Sequence, residues 1–183
     1  MPGVEVTKVL KEKTEDLHRA VSKLTLLPAQ DALTLLRFSL SIPKLMYTLR
    51  TYNCESNPAV EEFDNELRTG LSGFLNVDLS GDQWHQASLP VRDGGLGIRS
   101  AVMLAPSASL ASAAGSTELQ ARILPPPISI VPDDSVISAL QGWSARSQST
   151  PPAGTNAYRQ SNWDMACILR TQCWKTTETQ SDQ

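Results

Sequence analysis

The sequence predicts a mainly α protein: an irregular helical bundle followed by a Pro-rich, partly disordered C-terminal extension. Three observations predict it. Apolar residues recur at three- and four-residue spacing in separate stretches before residue 76, the period of a helix that buries one face. A later stretch, residues 100–114, is built largely of Ala, Ser and Leu, a composition suited to tight helix packing. The prolines are unevenly placed, with half of the twelve after residue 124. With 40% hydrophobic and 19% charged residues over 183 positions, the chain is long enough and apolar enough for a real core.

Residues 4–24 place Val6, Leu10, Leu17, Val21 and Leu24 near one stripe, with charged residues on the remaining faces. Lys13 and Thr14 interrupt the stripe, and His18 lies at its edge as a boundary or core residue, with no second ligand at metal spacing. Pro28 and Asp31 suit a new helix start. Residues 29–53 are the most apolar segment and predict a central helix covered on several sides, kinked or split at Pro43. Pro58 opens a third helix through about Leu75, with Val60, Phe63, Leu67, Leu71 and Phe74 as its buried face. Its acidic start (Glu61, Glu62, Asp64, Asn65, Glu66) complements the helix end and nothing more. Residues 76–88 read as a loop with a short amphipathic turn carrying Trp84 and His85.

The stretch Leu89 to Ser100 holds Pro90 and three glycines, Gly94, Gly95 and Gly97, which read as a tight turn between helices. A helix follows from about Ser100 to Ala114, with Gly115 as its stop and a short helix over residues 116–124. Beyond it, Pro125 to Pro132 reads as a stiff extended segment. Asp133-Asp134-Ser135 caps a short helix with Val136, Ile137, Leu140 and Trp143. Ser144 to Gly154 reads as a flexible linker, Asn156 to Trp174 as a last helix, and Thr176 to Gln183 as a disordered tail. The expected organisation is therefore a helical domain over 1–124, an extension over 125–175 and a tail over 176–183.

Net charge is -3, which gives no global basic footprint for nucleic acid. The charge is polarised, however. Residues 1–53 hold eight Lys/Arg against five Asp/Glu, while residues 54–183 hold eight against fourteen, so any polyanion contact is expected on the N-terminal part. Cys54, Cys167 and Cys173 form an odd count without paired spacing, which argues against a disulfide framework. The first residues lack the apolar run of a signal peptide, and no window approaches the ~20 apolar residues of a membrane span. An intracellular protein, cytoplasmic or nuclear, with no membrane association is expected.

The motifs that carry chemistry are absent. Gly94-Gly95-Leu96-Gly97 is not a dinucleotide fingerprint, because Ser100 stands where a third Gly or Ala is needed, and no Gly-Lys-Ser/Thr follows. There is no Gly-x-Ser-x-Gly elbow, and His18 and His85 are the only histidines. Cys167 and Cys173 are too far apart for the usual zinc pair. Neither metal nor cofactor is expected.

Several segments taken in order resemble a known family. Ile42-Pro43-Lys44-Leu45-Met46-Tyr47-Thr48-Leu49-Arg50 is followed by Glu61-Glu62-Phe63-Asp64. Trp84 then precedes Ala87-Ser88-Leu89-Pro90 and Gly94-Gly95-Leu96-Gly97-Ile98. This order and spacing resemble the region after the polymerase palm in non-LTR retrotransposon reverse transcriptases. Leu104-Ala105-Pro106-Ser107-Ala108, Leu110 to Ala114, Pro151 to Gly154, Arg159-Gln160 and Trp163-Asp164 extend the resemblance over roughly residues 8 to 164. It implies a helical thumb, which in that family grips the template–primer duplex. Polymerase chemistry needs palm carboxylates for two metal ions. The family carries them in an aromatic-x-Asp-Asp turn and an upstream Asp, and Val131-Pro132-Asp133-Asp134 is no substitute. The expectation is a truncated, non-catalytic, thumb-like fragment of an RNA-directed DNA polymerase that binds nucleic-acid backbone weakly. Lys8, Lys11, Lys23, Arg37, Lys44, Arg92 and Arg99 are the candidate contacts. The alternatives are a helical protein-interaction module, binding partners through exposed apolar surface, or a functionless relic.

Overall fold

The computed structural model describes residues 2–125 and 133–178 and, among them, contains helices and no strand. The fold class is mainly α. The extended segment expected over Pro125 to Pro132 lies outside the described residues except at Pro125, as does the expected tail beyond residue 178.

Contacts divide the chain into two units, Met1–Thr48 with Ser56–Met103, and Leu49–Glu55 with Leu104–Gln183. This differs from the expected boundary at 124. The helix that leaves the glycine turn belongs to the first unit for only three residues, and seven residues of the N-terminal half belong to the second.

In the first unit, helix α1 (Pro2–Leu24) buries all five residues of its predicted stripe. It packs along α4 (Pro58–Leu75), which buries Val60, Phe63, Leu67 and Leu71. The two run in the same direction. Asn57 Nδ2 donates to Thr7 Oγ1 (2.9 Å) near their starts. Toward their ends they approach so closely at Gly70 that a Cβ there would lie 2.6 Å from a Val21 methyl. Asn57 caps α4 by accepting from the Ala59 amide (3.1 Å), with Pro58 at the first helical position. Asn76 in the left-handed conformation (φ 53°) ends it.

The segment between them is not one covered helix. It is α2 (Ala29–Leu35), a π turn (Leu36–Leu40), a 3-10 turn (Ile42–Lys44) and α3 (Met46–Thr51). Pro43 supplies no amide and disfavours helical geometry at Ile42, so the ladder ends in a wide Ser41 N–H to Leu36 O bond (2.9 Å). Ala32, Leu36, Ile42, Leu45 and Leu49 are buried, but Leu35, Phe38 and Tyr47 are exposed. Coverage is one-sided, with Leu35 and Phe38 exposed before the break and Tyr47 after it. The short amphipathic turn expected around Trp84 and His85 is α5 (Gly81–Ser88), held by a reciprocal capping box between Ser80 and Gln83.

Helix α6 (Ala101–Ile123) passes through Gly115 without stopping, so the expected 100–114 and 116–124 helices are one. A single mid-helix glycine costs only about 1 kcal/mol relative to Ala, which the flanking turns outweigh. In the second unit, α7 (Asp134–Ser147) starts on the expected Asp133 cap, whose Oδ1 accepts from the Ser135 (2.5 Å) and Val136 (3.3 Å) amides. The helix consumes the start of the expected linker. A 3-10 turn (Gly154–Tyr158) leads into α8 (Gln160–Glu178), which begins and ends about one turn later than expected. Trp143, fully buried, meets Trp163 edge to face at 5.0 Å, and its indole N–H donates to Trp163 O (3.0 Å). The indole of Trp163 donates in turn to Ala157 O (2.8 Å). No described helix is long and apolar enough to cross a membrane.

Candidate nucleic-acid interface

The glycine turn is built so that its amides face inward. After a 3-10 turn at Val91–Asp93, Gly94 and Gly97 take positive φ (81° and 75°). Gly94 N–H donates to Val91 O, Gly95 to Pro90 O, Leu96 to Ala87 O and Gly97 to Leu89 O, all at 2.9 to 3.1 Å. Gln86 Nε2 closes the loop on Gly94 O (2.6 Å). Four consecutive donors are thus taken by the chain's own carbonyls, and none is left to cradle a phosphate.

The start of α6 is occupied in the same sense. Ser100 Oγ donates to Asp64 Oδ2 (2.5 Å), the Ala101 amide donates to Asp64 Oδ1 (2.6 Å), and the Val102 amide donates to Asp64 Oδ2 (3.2 Å). Ser100 Oγ also accepts from the Met103 amide (3.2 Å). Asp64, buried on α4, therefore supplies the anion that a helix N-terminus attracts. Burial raises its carboxyl pKa against the opposing pull of those donors. This corrects the expectation that the acidic start of α4 serves only its own helix end. Asp64 is three residues after Glu61 and reaches a different element.

The seven candidate cations are distributed unevenly. Lys8, Lys11 and Lys23 are exposed on α1, but helical geometry puts Glu12 and Glu15 between them on the same face. Asp16 there already pairs with Lys13 (3.9 Å) and Arg19 (2.5 Å). That surface is of mixed sign. Arg92 is exposed beside Asp93 (3.3 Å), and Arg99 is half-buried.

Arg37 connects with this turn through space. Its guanidinium lies against Gly97, where an added Cβ would stand 2.7 Å from Nε, and sits 4.7 Å over the ring of Phe38. The resemblance and the basic bias of residues 1–53 single out Arg37 in the sequence; the glycine that makes room for it is the one local trace of the contact. Arg37, Arg92 and Arg99 thus belong to one turn and its immediate neighbour, and Lys44 is exposed one short turn beyond Arg37.

Among the described residues, no group of three or more His, Cys, Asp or Glu is placed to hold a metal ion. Cys54 is buried, and burial pushes its thiol up to about 11, so it is no nucleophile in the folded chain. Asp133, the cap of α7, has its carboxyl pKa lowered by hydrogen bonds from the Ser135 side chain and the Ser135 and Val136 amides. No protein-family model, curated protein or solved structure matches this chain.

Proposed function

We propose that this chain is a non-catalytic, thumb-like helical fragment of a retroelement reverse transcriptase that binds nucleic-acid backbone. The observation that carries the reading is the Arg37 guanidinium against Gly97, which adds a third arginine to the turn flanked by Arg92 and Arg99. Guanidinium groups suit phosphate oxygens through their planar, fixed donors. Asp133 is engaged in capping α7, and no catalytic role is proposed for it. The test is binding of the purified chain to a labelled RNA–DNA duplex across a salt series. Affinity is expected to fall steeply with salt and to fall further in Arg37→Ala and Lys44→Ala. Each lost phosphate contact should make the plot of log affinity against log salt less steep, by about 0.9 in B-form DNA. Absence of binding at low salt by a folded chain, or binding indifferent to salt, overturns the proposal.

Exposed Leu26 (83%) and Leu35, on the same unit, favour a second reading as a protein-interaction module. Sedimentation showing a monodisperse monomer across a wide concentration range counts against self-association through that surface.

A further inference from the structure

The segment that carries Arg37 combines three properties. From Ala32 to Thr48 it contains no Asp or Glu, while Arg37 and Lys44 interrupt an otherwise neutral run. Among the described residues neither cation is paired with a carboxylate. Its aromatic side chains face outward: Phe38 is 64% and Tyr47 is 78% exposed. Phe38 is an apolar ring on the surface with a guanidinium over it, and Lys44 and Tyr47 follow at the next turns.

A double helix offers this surface only phosphates, since its bases are stacked on each other and their faces are hidden. An unpaired strand offers both phosphates and π-faces. Aromatic rings set among cations are the recurring means of holding such strands. The Arg37 guanidinium sits over one face of Phe38 as a cation–π contact, and the residue as a whole stays 64% exposed.

Building on the nucleic-acid reading above, we infer that the surface of Arg37, Phe38, Lys44 and Tyr47 recognises unpaired nucleic acid, with a base stacking on Phe38 and the adjoining phosphates on Arg37 and Lys44. Duplex binding through the arginines of the glycine turn is then the weaker, background mode.

The experiment compares a labelled single-stranded RNA oligonucleotide of mixed sequence with a blunt RNA–DNA duplex of equal length at one salt concentration. The strand should bind about tenfold more tightly. Phe38→Ala should weaken strand binding by about tenfold, the loss expected of one stacked base, and weaken duplex binding much less; Phe38→Tyr should restore strand binding. Phe38 is exposed, so these variants should fold as the parent does, which circular dichroism checks. Equal affinity for strand and duplex, an Ala variant that binds the strand normally, or a loss that Tyr does not restore overturns the inference and leaves the backbone-binding proposal standing. Failure to bind either nucleic acid overturns both.

Discussion

Asp64 and Asp133 both accept from amides at a helix start, yet their surroundings send them in opposite directions. Asp64 is buried, and desolvation raises its carboxyl pKa above the ordinary 3.8 despite three donors. Asp133 is open to solvent, and its hydrogen bonds lower it below 3.8. The linkage follows directly. Between 3.8 and its folded value, native Asp64 keeps a proton that the unfolded chain has released. Its contribution is therefore fully present below 3.8 and is lost as pH rises through the folded value. Asp133 contributes above 3.8 and loses that contribution as pH falls through its own folded value. Carboxyl-carbon NMR titration should place the Asp64 midpoint above 3.8 and the Asp133 midpoint below it. The reverse order would refute the environments described. These two residues also show why single positions are hard to read from sequence. Asp133 follows a proline and precedes a helical pattern, so its role was legible locally. The partner of Asp64 is Ser100, 36 residues away.

Helices followed their local signals where those signals agreed. The stripe of α1 and the Pro58 start of α4 were legible because apolar period, cap and proline all pointed to one register. The short turn around Trp84 and His85 is legible from its amphipathic pattern, and the Ser80–Gln83 capping box fixes where it starts. The π turn before Pro43 was not legible, because a proline announces a break without saying how the preceding turn resolves. Gly115 was misleading for the opposite reason, since a glycine marks a stop only when nothing beyond it favours helix. Substitution separates the two kinds of glycine. Gly115→Ala, in a helix with open space around the position, should stabilise by about 0.5–1 kcal/mol. Gly97→Ala, at positive φ and against Arg37, should destabilise by about 1–2 kcal/mol and shift the guanidinium. Urea midpoints at unchanged m-value give both signs.

At the scale of the molecule, the chain visits the second unit twice. The Leu49–Glu55 segment joins that unit through Asn53 Nδ2 donating to Ser135 O (2.9 Å) and through the Glu55–Arg146 pair (2.9 Å). Burial raises the Glu55 carboxyl pKa and Arg146 opposes the rise. Arg146→Ala leaves a largely buried acid without its cation and should cost about 2–3 kcal/mol, discounted from fully buried pairs because Arg146 is partly exposed. Arg146→Lys should recover part of it. A thermal melt that does not move in Arg146→Ala would show the pair to be incidental. None of this pairing was visible from sequence, where Glu55 and Arg146 fall in a turn and an expected linker. The same holds for the candidate interface. The arginines flanking the glycines were found because they are neighbours in sequence. The approach of Arg37 to Gly97 depends on how α2 and its π turn come back to that turn, which no local pattern encodes.

The separation of Glu55 from Arg146 by 91 residues also sets a timetable for the growing polypeptide. At ribosomal rates of about 5–20 residues per second, Glu55 waits roughly 5–20 s before its cation is made. Until the chain has folded, the Cys54 thiol lacks the burial that raises it to about 11 in the finished protein. It is therefore more open to oxidation in the nascent chain than in the finished protein. A delay in elongation between residues 56 and 146 would prolong that exposure without altering a single amino acid.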